Sequence, residues 1–271
     1  MRPLRGVVAY AGLTLLAATI IFPLYYAVVG SLMTDQELTR FPPPLFPDGL
    51  NLASYREVLD AVPLLRQYAN SVFVSLSIVA GVLCTSVLAG YVFAFLDFPF
   101  KRLMFALFLS TMMVPAESTI IPNYLTMANL GLVNTFPALI VPFLATGFGT
   151  FLMRQFFLTF PREIYEAAKV EGSGHLWFIT RILVPLSRPA IGTLAIYSFI
   201  STYNFYFWPL LVTSTPEMQT VQIGLKSLHS VEARHPSLIF AGVVLVIVPM
   251  VFLIYTFQRQ IIRGLTAGAI K

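Results

Sequence analysis

Residues 166–186 read EAAKVEGSGHLWFITRILVPL, a polar, glycine-broken stretch between two long apolar runs. Pro161, just before it, suits a first helical turn, where its missing N–H would have no partner anyway. Glu163 and Glu166 lie near that helix start, where the dipole favours negative charge. Gly172 and Gly174 interrupt the helix, and a left-handed turn needs glycine. A second short helix is expected over 175–183, with Pro185 marking the start of the next apolar run. The segment 159–186 therefore reads as a helix-turn-helix lying along a membrane surface. Ala167 and Ala168 carry side chains small enough for the backbone to sit deep in a partner's cleft, and Glu166 is placed to pair with a basic group there.

The rest of the chain is apolar enough to supply that membrane. Of its 271 residues, 57% are apolar and 11% charged, with a mean hydropathy of +0.80. Soluble domains carry about 25% charged residues, so the composition places the chain in a bilayer. A spanning helix needs about 20 apolar residues. Apolar runs with at most one charge place six of them, at about 8–32, 71–95, 103–121, 135–157, 190–212 and 238–257. The first has no charge from Gly6 to Thr34, too long for a signal peptide core of about 7–15 residues, and reads as a retained span. Asn129 to Asn134 (NLGLVN) supplies turn residues between spans three and four. The expectation is an all-α membrane protein, residues 1–271 forming one transmembrane domain, with both termini on one side.

Lys and Arg choose the side. With cytoplasmic termini, Arg2, Arg5, Lys101, Arg102, Arg154, Arg162, Lys169, Arg181, Arg188, Arg259, Arg263 and Lys271 fall inside, which is 12. Arg40, Arg56, Arg66, Lys226 and Arg234 fall outside, which is 5. The bias also places the 159–186 loop in the cytoplasm. The net charge of +5 is scattered through short loops and is no nucleic-acid signal. Cys84, the one cysteine, reads as a small buried hydrophobe, and no disulfide forms within the chain.

The spacing Glu166-Ala167-Ala168, Gly172, Ile182-x-Val184-Pro185, in a loop before the penultimate span, resembles the EAA loop of the membrane-spanning subunits of binding-protein-dependent ABC importers. That resemblance implies an ATPase-coupling role for Glu166, Ala167, Ala168, Gly172, Ile182 and Pro185. The family often has Asp before the glycine and Leu-Pro at the end; this chain has Glu171 and Val184-Pro185, which touch partner preference rather than docking. None of the four lysines follows a glycine, so the P-loop pattern G-x-x-x-x-G-K-[ST] is absent. ATP and Mg are thus expected on a separate ATPase, with no cofactor and no catalytic set on this chain. The resemblance further implies a second, homologous permease, an ATP-binding subunit dimer and an extracytoplasmic solute-binding protein as partners, at the cell membrane. The short tail, residues 265–271, is expected to reach into the ATPase dimer.

Four segments narrow the branch: MVPAE at 113–117, FLMRQFF at 151–157, YNFYFWPL at 203–210 and RGLTAGA at 263–269. They resemble permeases of carbohydrate importers, glycerol-3-phosphate and glycerophosphodiester types among them. Glu117 is the only acid inside a span and follows the helix-breaking Pro115. A membrane charge at about 2.5–3.5 kcal/mol is a functional candidate by default, and a structural acid paired with a partner chain is the alternative. A carboxylate suits sugar hydroxyls and repels a phosphate unless a cation stands nearby. Tyr203, Asn204 and Trp208 are path candidates by aromatic stacking and amide hydrogen bonding. Asn204 and Trp208, four apart, are expected on one helix face, with an interfacial belt as the alternative. Asn123 and Tyr124, past Pro122, complete the set. His175, His229 and His235 are not expected to hold a metal. A permease for an unrelated solute and an ion-driven transporter remain as alternatives; the latter predicts more intramembrane charge and no docking loop.

Overall fold

The computed structural model describes residues 2–229 and 235–266. Among these the regular structure is helical throughout: α1 Arg2–Gly30, α2 Asp35–Leu38, α3 Ala53–Ala61, α4 Leu64–Phe95, α5 Lys101–Met113, α6 Ala116–Asn129, α7 Phe136–Phe143, α8 Gly147–Phe157, α9 Arg162–Val170, α10 His175–Leu186, α11 Arg188–Tyr203, α12 Phe207–Val212, α13 Val221–His229 and α14 Pro236–Thr266. Backbone groups in hydrocarbon must be satisfied within the segment, which helices alone do here. Three stretches are long and apolar enough to cross a membrane: Tyr10–Gly30, Leu64–Phe95 and Pro236–Thr256. Three bent pairs raise the number to as many as six: α5 with α6 at 97°, α7 with α8 at 44°, and α10 with α11 at 82°.

The bends correct the sequence reading of where helices run. Helix continues past 121 to Asn129, with the break at Val114-Pro115, where proline has no N–H to give the preceding turn. The run expected over 190–212 stops at Tyr203 and restarts at Phe207. The turn at 130–135 lies where expected, with Gly131 and Asn134 both in left-handed backbone (φ 67° and 62°). Cys84 is exposed on α4, which corrects its reading as buried.

The chain divides into two compact units. The first comprises residues up to Gln67 together with Val221–Phe252. Its interior includes Met33, Val58, Ile223, Leu228, Leu238 and Ala241, all buried. Tyr26 meets Phe240 edge to face at 5.7 Å. Asp35 accepts the Ser237 N–H and the His235 Nδ1 hydrogen bond, each at 2.9 Å, and so caps the start of α14 from a distant part of the sequence. Burial raises the Asp35 pKa, but the hydrogen bonds from Ser237 and His235 outweigh it and hold the carboxyl below its usual range. By contrast, α1 turns Leu13, Leu15, Leu16, Ile20, Ile21 and Phe22 outward, an apolar surface suited to lipid or another subunit.

The second unit comprises Tyr68–Thr220 and the chain from Leu253. Val74, Ile78 and Val82 recur every four residues along α4 and pack in one core with Met153 and Phe157 of α8, Leu183 of α10, Leu194 of α11 and Trp208 and Val212 of α12. Close helix approach in a bilayer relies on small residues, and α4 meets α8 through them. A Cβ on Gly90 would lie 2.9 Å from the Met153 Cβ and 3.0 Å from the Arg154 nitrogen. Arg154 is anchored with its guanidinium 4.1 Å above the Phe105 ring and its Nε–H donated to the Phe93 carbonyl.

Asn134 ties the 130–135 turn to the segment after α12. Its N–H donates to the Val212 carbonyl at 2.7 Å, and its Oδ1 accepts the N–H groups of Ser214 (2.9 Å) and Thr215 (3.2 Å). Asn134→Ala removes that acceptor and places a Cβ-bearing residue without a polar side chain in left-handed backbone. The expected loss is about 1–3 kcal/mol, read as a lower thermal midpoint in detergent. Asn134→Gly, which relieves the backbone alone, should fall between Ala and the natural residue.

Candidate coupling loop

The 159–186 loop belongs wholly to the second unit. Pro161 sits at the N-cap position (φ −55°, ψ 131°), just before the first turn of α9 that the sequence reading assigns it, and Glu163 occupies that turn. The helix closes as the sequence predicts, at Gly172. Gly172 stands at φ 77°, its N–H bonds back to Lys169, and the Ser173 N–H bonds to Ala168 at 2.9 Å. This pair of bonds is a Schellman turn, which needs the left-handed residue that glycine supplies without strain. Gly174 does not share the role: its φ is −71°, and it simply precedes α10.

The structure also corrects the second helix. It runs on through Pro185 to Leu186 and breaks at Ser187, rather than ending at 183. The ladder is widened into a π turn at Ile179–Leu183. That turn directly precedes Pro185, whose ring would clash with the carbonyl four residues back in a regular helix. Ile182 and Pro185 are both half-buried, with Ile182 packed on the core.

The two alanines of the motif part company. Ala167 is exposed, as are Glu166 and Lys169, whereas Ala168 is 5% exposed and belongs to the core. Val170 (89% exposed), Leu176 and Trp177 are also exposed, apolar side chains on a loop rich in polar residues. Beneath it lies a cluster of aromatic rings. Tyr165 is 5.2 Å from Phe178 and 5.2 Å from Phe95, and Phe95 is 6.4 Å from Phe157. Tyr91 joins through Phe95 (5.6 Å) and makes a hydrogen bond between its hydroxyl and His175 Nδ1 at 2.5 Å. A void of about 170 Å³ between α9 and α10, lined in part by Tyr165, Lys169 and His175, is smaller than the ~300 Å³ at which small-molecule sites begin.

At the other end of α9, Arg162 pairs with Asp97 at 3.0 Å, and Lys101 stands 3.5 Å from the same carboxylate. The Arg162 hydrogen bond, with the attraction of Lys101 and Arg162, holds the Asp97 carboxyl below its usual range. Sequence reading missed Tyr91, Asp97 and Arg162 as loop partners and weighed His175 only as a metal ligand. No local pattern marks a contact between residues 84 positions apart.

The path candidates scatter. Glu117 lies in the first turn of α6, exposed, in a wholly exposed stretch from Thr111 to Ser118 at the 97° bend. Asn123 and Tyr124 are half-buried, Tyr124 against the core. Tyr203 and Trp208 are buried at 3% and 4% exposure, and the Trp208 Nε1–H donates to the Ala138 carbonyl at 3.0 Å. Asn204 is exposed, and its Nδ2 donates to the Ile200 carbonyl at 2.8 Å. The helical break between Tyr203 and Phe207 means that Asn204 and Trp208 share no continuous helix face, contrary to the i, i+4 expectation. Of the tail expected to reach a partner, residues 267–271 lie outside those described.

Known proteins resemble the chain over nearly its whole length. The sn-glycerol-3-phosphate transport system permease protein UgpE of Agrobacterium fabrum is 36% identical over 97% of both chains. Its namesake from Rhizobium meliloti is 34% identical, again over 97% of each. Among solved structures, a chain of a bacterial ABC transporter involved in import of the acidic polysaccharide alginate superposes with a TM-score of 0.85 at 23% identity, covering 95% of this chain and 96% of that one, a likeness of fold. Residues 78–267 match the family described as binding-protein-dependent transport system inner membrane component. With that match across most of the sequence and relatives along all but its ends, the chain belongs to this family of ABC importer permease subunits.

Proposed function

We propose that this chain is one of two permease subunits of an ATP-driven importer and that its solute is glycerol 3-phosphate, a glycerophosphodiester or a related carbohydrate. The observation that carries the solute class is the likeness to permeases of sn-glycerol-3-phosphate transport over 97% of the chain. Each bent pair then serves as one span, giving six. The 12-to-5 distribution of Lys and Arg favours cytoplasmic termini and a cytoplasmic 159–186 loop. In that arrangement Glu166, Ala167 and the outward Val170, Leu176 and Trp177 meet a separate ATPase, which binds the ATP and Mg. Gly172 sets the turn, and Ile182 and Pro185 carry the loop into the membrane. A second permease completes the path, and a solute-binding protein delivers from outside.

Glu117 and Asn204 are this chain's contribution to the path wall, with Asn123 and Tyr124 behind them. Tyr203 and Trp208 support that wall from within the core rather than stacking on solute. Since Glu117 repels a phosphate, a phosphorylated solute calls for a cation from the second permease.

The test is a mild-detergent pull-down of the tagged chain from its native membrane, followed by uptake measurements. An ATPase and a second permease are expected to come along, and proteoliposomes of that assembly with its binding protein should accumulate sn-glycerol 3-phosphate on ATP addition. Recovery of the chain alone, under conditions that preserve a known importer, overturns the importer reading. Uptake of an uncharged oligosaccharide in place of the phosphoester keeps the importer and discards the phosphate.

A further inference from the structure

The loop is fastened at two points beside the end of α4. At the start of α9, Arg162 holds Asp97, two residues past the end of α4. At the start of α10, His175 holds the hydroxyl of Tyr91, one turn before the end of α4. Between the two attachments, Tyr165 of α9 and Phe178 of α10 are wedged against Phe95 of α4 at 5.2 and 5.6 Å. The Arg162–Asp97 pair is exposed, with Asp97 at 78% side-chain exposure, so it is screened and weak. In the Tyr91–His175 bond, Tyr91 is 2% exposed and packed among Phe95, Tyr165 and Phe178, while His175 is exposed. Among the described residues the Tyr91 hydroxyl also faces Tyr165 of α9, so a push on the loop's outer surface converges on Tyr91. Further along α4, Gly90 and Ser86 touch α8 closely enough that neither helix can shift without the other.

We propose that Tyr91 and His175 are the positioning pair through which movement of a docked partner at the 159–186 loop is delivered to α4 and from there to α8. The proposal rests on the ATPase-docking reading of the loop. Because ring packing remains when the hydroxyl is removed, the pair's role is separable from that of the aromatic cluster. Tyr91→Phe keeps the ring between Phe95 and Phe178 and deletes the hydroxyl's interactions with His175 and with Tyr165. His175→Ala deletes the first of these from the other side, and His175→Asn returns a polar side chain at about the Nδ1 position.

The experiment uses the intact assembly purified with its ATPase, in lipid nanodiscs, and compares amide hydrogen exchange across residues 85–97 with and without a non-hydrolysable ATP analogue. In the natural protein the nucleotide is expected to change exchange in this segment. In Tyr91→Phe and His175→Ala that change should shrink by about two- to tenfold, the range one hydrogen bond carries. The double variant should be no worse than Tyr91→Phe alone, and His175→Asn should recover part of the response. ATPase recovery and thermal midpoint should stay near those of the natural protein, which a merely structural pair would not allow. An undiminished response in Tyr91→Phe, or no response of this segment in the natural assembly, overturns the proposal. Failure of the natural chain to recruit any ATPase is a different result, and it removes the docking reading itself.

Discussion

Gly149→Leu is expected to leave little or no folded protein in the membrane. A Cβ at this position would stand 2.2 Å from the Ser86 Oγ and 2.8 Å from the Thr146 Oγ1. Both neighbours are constrained. Ser86 is fully buried at the α4 face toward α8, and Thr146 accepts the Gly149 N–H at 3.1 Å, capping α8. Moving the threonine sacrifices a cap of about 1 kcal/mol, and inserting a bulky chain into a close-packed contact costs a further ~1–3 kcal/mol or more. A leucine also cannot be absorbed by local adjustment, because Gly90 against Met153 and Gly81 against Leu144 hold the neighbouring regions just as closely. Packing rather than the hydrophobic effect holds helices together in lipid, so forcing these apart removes the interaction that organises the second unit. Gly192→Ala is the control: no atom lies within 4 Å of its Cβ position, and alanine is the better helix former there. Size-exclusion profiles of fluorescently tagged protein from solubilised membranes read the outcome. A sharp peak at natural abundance for Gly149→Leu would sink the argument, whereas Gly192→Ala should give that peak.

How much of this was legible beforehand depends on what membrane sequences encode. Run length located the apolar segments, and local turn chemistry located the reversal at Gly131 and Asn134 and the left-handed residue at Gly172. These depend on residues adjacent in sequence. The faces of the helices were not legible, because a helix in lipid is apolar all round and lacks the polar stripe that marks the outside of a soluble helix. Trp208 therefore read as a wall residue and proved to be a core residue bonded to Ala138. Run length is equally silent about bends: the 97° turn at Val114-Pro115 and the break at Asn204 both lie within unbroken apolar stretches. The small residues that would have betrayed the α4–α8 contact, Gly81, Ser86, Gly90 and Gly149, were present as a signal and went unread. The Tyr91–His175 link had no signal, since nothing in either residue's neighbourhood names the other.

Ala167→Arg and Ala168→Arg, one residue apart, should fail in different ways. Ala167 is exposed on α9 beside Glu166 and Val170, so an arginine there finds open space and keeps good helix propensity. The permease should reach the membrane in normal amount and with a normal thermal midpoint. Its long charged side chain would nevertheless stand where the docking reading requires close backbone approach, and ATPase recovery in a pull-down should fall by at least about tenfold, the equivalent of ~1.4 kcal/mol. Uptake should fall with it. Ala168 instead points into the core that holds Tyr165 and Phe178 and is almost wholly buried. A guanidinium placed there has no partner in an aromatic cluster, and burying an unpaired charge is among the most costly single changes. The loop should come away from α4, and trypsin should cleave at Lys169 or Arg181 in membranes where the natural protein resists. The pair of variants thus separates surface from support within one motif. Full ATPase recovery by Ala167→Arg would show that the exposed alanine is not at the contact, and the docking surface would then have to lie elsewhere on the loop, with Leu176 and Trp177 the first candidates. Intact, protease-resistant Ala168→Arg would show that the aromatic cluster tolerates a charge and so does not hold the loop.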